Sequence, residues 1–526
     1  MPGHQPMTPV KPAATAEAPF VLRLDGITKR FGALLANDAI SLELRRGEVL
    51  ALLGENGAGK TTLMSILFGH YVADAGSIEA FGQTLPPGSP RAAIDVGIGM
   101  VHQHFTLGDN MTVLENIVLG AEPLFALRQN HKAARARLAQ LADRFGLAVR
   151  ADARIQELSV GERQRVEILK ALYRNARVLI LDEPTAVLTP QESATLFETL
   201  HQMVADGLSV IFISHKLNEV MEIADRVTVL RRGKVVANFR KSETSREALA
   251  AAMVGREVAQ PKRQAMAAGK TVLRLAGVSV AAAEAQPALR SVDLELREHE
   301  ILGIAGVSGN GQGSLAALMS GLAVAASGSL ELLGRPVTRA EPAAMVASGV
   351  GRVPEDRHRF GVVGDMTPEE NLILEDYRSA RFQRFGIFRF RAIAEHAKAL
   401  IRGYDIRGAD EAALARSLSG GNMQKLILAR VLSREPAVIL ANQPTRGLDV
   451  GAAAYVHEQL FAARARGAGV ILITEDLDEL LAISDRVAVM YQGTLSASRP
   501  VEGLGLTELG LMMSGAAAQG GAGHAA

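Results

Sequence analysis

The 526-residue sequence contains no cysteine. That absence excludes a disulfide framework, a cysteine-ligated zinc site and an iron–sulfur cluster, and it gives no sign of an oxidising compartment. A cytosolic location is therefore expected. No apolar run reaches the roughly 18 residues that a bilayer-spanning helix needs. Charge of one sign is also missing. Lys and Arg number 57 against 56 Asp and Glu, a formal net charge of +1, so binding of nucleic acid would need a local patch. The first 19 residues, MPGHQPMTPVKPAATAEAP, lack the apolar middle of a secretory signal. They are expected to form a disordered arm, as is the Gly- and Ala-rich tail 516–526.

What is present is a globular composition, 48% hydrophobic and 21% charged, long enough for roughly two to four domains. An internal repeat organises it. GENGAGKTTL at Gly54 is echoed by GVSGNGQGSL at Gly306, and Gln103 by Glu355, both at a spacing of 252. Farther on, Ser159 and Ser419, Asp182 and Asn442, His215 and Glu475, and Asp225 and Asp485 are all 260 apart. Two homologous copies, the second carrying a net eight-residue insertion between Glu355 and Leu418, account for both spacings.

Each copy opens with period-two runs (VLRLDGITKRFG, VLRLAGVSV) and continues with continuous apolar runs (EVLALLG, EILGIAG). The first pattern suggests half-exposed strands and the second buried ones. VLILDEP and SVIFIS lie between amphipathic segments, as in a parallel sheet wrapped by helices. The expected division is copy one over 20–255, a polar Pro-containing linker over 256–270 and copy two over 271–515.

Gly54 to Thr61 matches G-x-x-x-x-G-K-S/T between a buried strand and a helix, the arrangement of a phosphate-binding loop. Backbone N–H groups of Gly54, Glu55, Asn56, Gly57, Ala58, Gly59, Lys60, Thr61 and Thr62 would turn onto phosphates, helped by the positive end of the helix dipole. Lys60 would reach the terminal phosphates, and Thr61 would place a hydroxyl on Mg²⁺. Asp182 ends an apolar strand where it can hold the Mg²⁺ shell. Glu183 follows it, placed to polarise a water for in-line attack on the γ-phosphate. Gln103 could touch both metal and water, and His215 ends a strand where it could bond the γ-phosphate.

The stretches LSVGERQ (158–164) and LSGGNMQ (418–424) resemble the signature of ATP-binding cassette (ABC) proteins, and the resemblance covers nearly all of the chain between the tails. It implies an α/β fold of two tandem ABC-type nucleotide-binding domains, each a RecA-like parallel-sheet core with an antiparallel β subdomain and a helical subdomain. It also implies that ATP lies between the phosphate loop of one copy and the signature of the other. Site one then joins the first loop, Gln103, Asp182, Glu183 and His215 to Ser419, Gly420, Gly421 and Asp449, with Phe31 at the adenine-stacking position. Site two is altered on both faces. Gln312 stands for the lysine, Gly313 for the hydroxyl residue, Asn442 and Gln443 for the acids and Glu475 for the histidine. Across from them, Val160, Glu162 and Thr189 replace the usual signature and interface residues. Glu355 and Glu475 would bring negative charge toward phosphates, and no aromatic lies near 281–286.

Two fused cassettes with a degenerate second copy resemble the ATP-binding subunit of bacterial importers for simple sugars and related solutes. MVHQHFTLGDNMTVLENIVLG is similar to the nucleoside-importing branch. The resemblance implies two integral-membrane permease subunits, an extracytoplasmic solute-binding protein and peripheral attachment at the cytoplasmic membrane face. Residues 104–125 and 356–376 would receive the permease's coupling helices. The rival class is a tandem-cassette ATPase acting on ribosomes or nucleic acid. The long charged linker of the translation factors and the Cys-rich modules of the repair ATPase are both missing. The one hint of nucleic acid is YRSARFQRFGIFRFR, 377–391, where Phe alternates with Arg. A helical-subdomain surface touching permease or lipid headgroups is the preferred expectation there.

Overall fold

The computed structural model describes residues 20–513 apart from 56, 103–104, 122–130, 186–187, 189, 215, 256–260, 284–285, 308, 339–340 and 410–412. The expectations for the arm, the tail, Asn56, Gln103, Thr189 and His215 fall outside the described residues. The chain divides into two compact units, Met1–Leu188 with Ala194–Met253, and Val254–Ala526 with Thr189–Ser193.

In the first unit, Phe20–Phe31 pairs antiparallel with Leu34–Arg45 and with Ala75–Ala80. Burial alternates along Phe20–Phe31 as its period-two pattern requires, with Leu22 and Leu24 inside and Arg23 and Asp25 outside. The larger sheet runs in the order Lys234–Arg240, Arg226–Arg231, Val49–Gly54, Ser209–Ile213, Val178–Asp182, Ile98–Val101. Every pairing among the last five strands is parallel.

Both faces of this sheet are covered, which is why its strands read as unbroken apolar runs. Leu179, Leu181, Val210 and Phe212 pack with the Val160–Tyr173 helix on one side. Val178, Ile180, Ile211 and Ile213 pack with Leu63 and Met64 of the Lys60–Leu67 helix on the other. The two-residue period therefore carries position 182, next after Leu181, to the face that holds the phosphate-loop helix. One strand's alternation decides which side of the sheet receives the acid.

The second unit repeats the plan. Its order is Val350–Val353, Val438–Asn442, Gly469–Ile473, Ile301–Ala305, Arg486–Tyr491. Val438 and Leu440 share one core with Leu315, while Ile439 and Ala441 share the other with Leu426. Asn442 thus occupies the same face as Asp182. The later part of the expected linker packs onto this unit: Arg263 pairs with Asp485 and Glu502, and Arg464 donates to the Gln264 carbonyl at 2.8 Å.

The stretch 377–391, within the region of the insertion, takes a form that periodicity did not suggest. Gln383–Arg384 and Ile387–Phe388 form a two-stranded hairpin closed by Phe385 and Gly386, and a helix starts only at Phe390. Gly386, with φ of 81°, supplies the left-handed conformation that such a turn requires.

Candidate functional site

The first phosphate loop turns on Gly59, where there is no room for a side chain. Gly59 has φ of 99°, and a Cβ there would sit 2.4 Å from the Ala36 carbonyl oxygen and 2.5 Å from Asn37 Nδ2. Asn37, fully buried, donates from that same nitrogen to the Gly59 carbonyl at 3.1 Å. Gly59 leads into the Lys60–Leu67 helix without a side-chain cap, so the first-turn N–H groups have no side-chain acceptor. Lys60 is buried and donates from Nζ to the carbonyls of Gly54 at 2.6 Å and Glu55 at 3.0 Å. Burial lowers its pKa, while the carboxylates of Glu183, Asp182 and Glu55 act in the opposite direction.

Asp182 ends its strand on the same face. Burial, followed by the Glu183 charge, raises its carboxyl from the usual 3.8 to about 6, and the Lys60 ammonium opposes that rise. Glu183 turns out of the strand with φ of 48°, its N–H bonded to the Ile213 carbonyl at 2.9 Å. Phe31 is 42% exposed and meets Tyr71 edge-on at 5.5 Å, with Lys29 Nζ 5.4 Å from its ring centre. It is a presented ring rather than a core one. Thr61 is exposed at the loop's end, and Thr62 is half-buried.

The second loop keeps the shape and loses the charge. Gly309 and Gly311 hold φ of 86° and 120°. Gln312 folds back as Lys60 does, donating from Nε2 to the Val307 carbonyl at 3.0 Å. Asn442 is as buried as Asp182. Gln443 retains the left-handed backbone, φ 50°, and the matching bond to Ile473 at 2.7 Å. Because a residue without an acid keeps this conformation, the turn serves the chain path and not the chemistry. Where the first copy presents Phe31, the second has Ala283.

The signature helices differ in what occupies their N-termini. Ser159 caps Val160–Tyr173 in a reciprocal box: its backbone N–H donates to Glu162 Oε2 at 2.8 Å, and Glu162 N–H donates to Ser159 Oγ at 3.3 Å. These bonds hold the Glu162 carboxyl below its usual range, so a negative charge already sits on that helix end. Ser419 caps Gly420–Leu432 with no acid in the first turn. Asn422 donates from Nδ2 to Ser419 Oγ at 2.9 Å, and its Oδ1 accepts the Arg407 N–H at 2.9 Å. The second signature therefore leaves its helix dipole open to an outside anion, and the first does not. Asp449 caps the helix Val450–Ala465, accepting from Ala452 N–H at 2.7 Å.

Three supporting contacts were not legible in the motifs. Glu219 Oε2 accepts from Thr185 Oγ1 at 2.6 Å and from Ser214 Oγ at 2.8 Å, tying the turn after Glu183 to the residue before position 215. Glu479 does the same with Thr445 and Thr474 in the second copy. The matching 260-residue spacing of Glu219 and Glu479 was the available signal. Glu355, expected to repel phosphate, instead forms an ion pair with Arg446, so its charge is offset locally. Two positions beyond it, Arg357 Nη2 donates to the Gly447 carbonyl at 3.2 Å, near the turn that carries Asp449.

The paired α/β units, one with a charged phosphate loop and one with a neutral copy of it, define a tandem nucleotide-binding cassette protein. The ABC transporter family model matches residues 37–186 and 289–446. A glucose import ATP-binding protein of Haloferax volcanii is 45% identical, over 94% of this chain and 96% of that protein. A nucleoside import ATP-binding protein of Lactococcus lactis and a guanosine import ATP-binding protein of Bacillus subtilis are each 43% identical, over 94% of this chain and 98% of theirs. The chain belongs to the ABC transporter family.

Among the described residues no helix is long and apolar enough to cross a membrane.

Proposed function

We propose that the chain is the ATP-hydrolysing subunit of an ABC importer that takes up nucleosides or simple sugars, with one hydrolytic site per chain, in the first cassette. The observation that carries the single-site reading is the convergence of Lys60, Asp182 and Glu183 on one sheet face, while Gln312, Asn442 and Gln443 hold the matching positions uncharged. The names of the relatives, two for nucleosides or guanosine and one for glucose, support the solute class.

The residues fit a magnesium nucleotide. Lys60 is a buried ammonium held by loop carbonyls, beside an uncapped helix N-terminus and a hard-oxygen donor set of Asp182 and the Thr61 hydroxyl. Thr61 and Asp182 would hold Mg²⁺, with Gln103 completing the shell; the ion supplies charge neutralisation at the phosphate oxygens. The loop from Gly54 to Thr62, with Glu55, Asn56, Gly57, Ala58 and Gly59 contributing N–H groups, binds the phosphates, and Phe31 stacks on adenine. Glu183 accepts the proton of the attacking water, and Gln103 and His215 orient that water and the terminal phosphate. Ser419, Gly420, Gly421 and Asp449 close the site from the second cassette.

Partners in this reading are two permease subunits at the cytoplasmic face of the membrane and, through them, an external solute-binding protein. The test is transport by the reconstituted complex. Uptake of a nucleoside or sugar should require ATP and should stop with Glu183→Gln. ATP-independent uptake, or uptake unaffected by that change, would overturn the reading.

A further inference from the structure

The stretch 377–391, within the region of the insertion, carries an apolar hairpin on a rigid mount. Phe382 is fully buried among Ile373 and Ile393 and packs on His396 at 5.0 Å between ring centres, fixing the hairpin's base to the helical subdomain. From that base Phe385 stands 93% exposed, Ile387 73% and Phe390 75%. Burying so much apolar surface is what folding ordinarily achieves, and here four large side chains, counting Phe388, are left outside.

Phe385 and Gly386, with φ of 51° and 81°, make a two-residue turn of the same left-handed kind as Phe81–Gly82 and Leu333–Gly334, and it sets the Phe385 ring at the outermost point of the hairpin.

Charge selects the partner. From Tyr377 to Arg391 the sequence holds Arg378, Arg381, Arg384, Arg389 and Arg391 and no acidic residue. Arg384 lies 5.4 Å from the Phe385 ring centre, its charged group beside the apolar tip. Arg391 pairs with Glu395, the acid one helical turn beyond, leaving the other four without an acid in the stretch. Aromatic tips flanked by arginines match the boundary between anionic headgroups and acyl chains, where rings enter the interface and guanidinium groups stay with phosphates.

We propose that the hairpin around Phe385 docks on the surface of an anionic lipid bilayer, anchoring the chain to the membrane independently of its permease. The proposal rests on the reading of the chain as a membrane-associated transporter subunit, but its test does not use the permease. The full-length chain is mixed with vesicles of equal parts phosphatidylglycerol and phosphatidylcholine, and bound protein is measured by flotation. Binding is expected to the mixed vesicles and not to pure phosphatidylcholine. It should weaken in about 1 M salt, where the Debye length is about 3 Å.

Phe385→Ser with Ile387→Ser should lower binding about tenfold or more, and both side chains are exposed, so the fold is not at stake. Arg381→Gln with Arg384→Gln should lower it about 25-fold, each arginine contributing about a fivefold factor. Equal binding by parent and variants would overturn the proposal. So would failure of the parent chain to bind the mixed vesicles, or binding to a polyuridine strand without binding to vesicles, which would assign the surface to RNA. The ATPase of the same preparations reads the hydrolytic assignment separately, so failure of one does not entail failure of the other.

Discussion

The two cassettes share a backbone and differ in charge. At the loop lysine position, both Lys60 and Gln312 fold back to donate to their own loop carbonyls. At the end of the third strand from the loop, Asp182 and Asn442 are equally buried, and Glu183 and Gln443 adopt the same left-handed turn. Glu219 and Glu479 brace the same two strand ends with the same bonds. The difference teaches that these geometries belong to the fold. What the second copy lacks is the ammonium of Lys60 and the carboxylates of Asp182 and Glu183, none of which the fold needs. The signatures differ in the opposite sense: the first is closed by its own Glu162 carboxylate, and the second is open. One copy carries the charged loop and strand end, and the other the helix N-terminus without an acid.

The comparison can be broken most sharply at the base. Glu183→Gln should lower steady phosphate release by about 10² to 10⁴, the usual contribution of a positioned general base. Gln443→Glu should leave it within about twofold, since Asn442 and Gln312 would still be uncharged. Equal effects at the two positions would mean that both copies hydrolyse ATP.

Next in size is a pair of caps. Ser159→Ala and Ser419→Ala each remove a helix cap and should each cost about 1 kcal/mol in denaturant unfolding. Only Ser419→Ala should also lower ATPase, on the order of tenfold, as expected for losing a donor to developing charge. Asp449→Asn keeps an N-capping oxygen for Ala452, so any loss of ATPase there separates the site role from the cap.

A subtler test uses proton linkage at Asp182. Its folded pKa, about 6, lies above its usual 3.8, so the stability tied to this group is complete below about pH 4 and is lost as pH rises through 6. In chelator, without nucleotide, Asp182→Asn should therefore stabilise the chain at about pH 8 by about 1 to 3 kcal/mol, with a smaller gain at about pH 5. Melting curves at the two pH values check this. A gain that did not grow with pH would place the acid outside the buried face. Asn442 is the same substitution already made in the second copy.

Much of this was readable in advance because it is local. Uninterrupted apolar runs marked the parallel sheet, alternation marked the outer strands, and the loop's glycines declared themselves by spacing. Contacts between residues far apart in sequence were not readable. Nothing in the motif GMV or GRV says that Glu355 meets Arg446 across 91 positions, which turned an expected repulsion into a neutral pair. The hairpin was missed because a Phe/Arg alternation serves a helix face and a strand equally well over so few residues. Glu162 was read as a replaced signature residue; that its carboxylate closes the helix end depends on the capping geometry.

The sequence by itself determined the repeat, the sheet strands, the phosphate loop and the loss of charge from its second copy. These follow from residue type, spacing and the two-residue period, which are properties of short segments. Tertiary structure alone decided the raised Asp182 carboxyl, the bracing by Glu219 and Glu479, the pairing of Glu355 and the exposure of Phe385. Each depends on which surfaces are removed from water and on which distant groups then stand within bonding distance, and folding settles both at once.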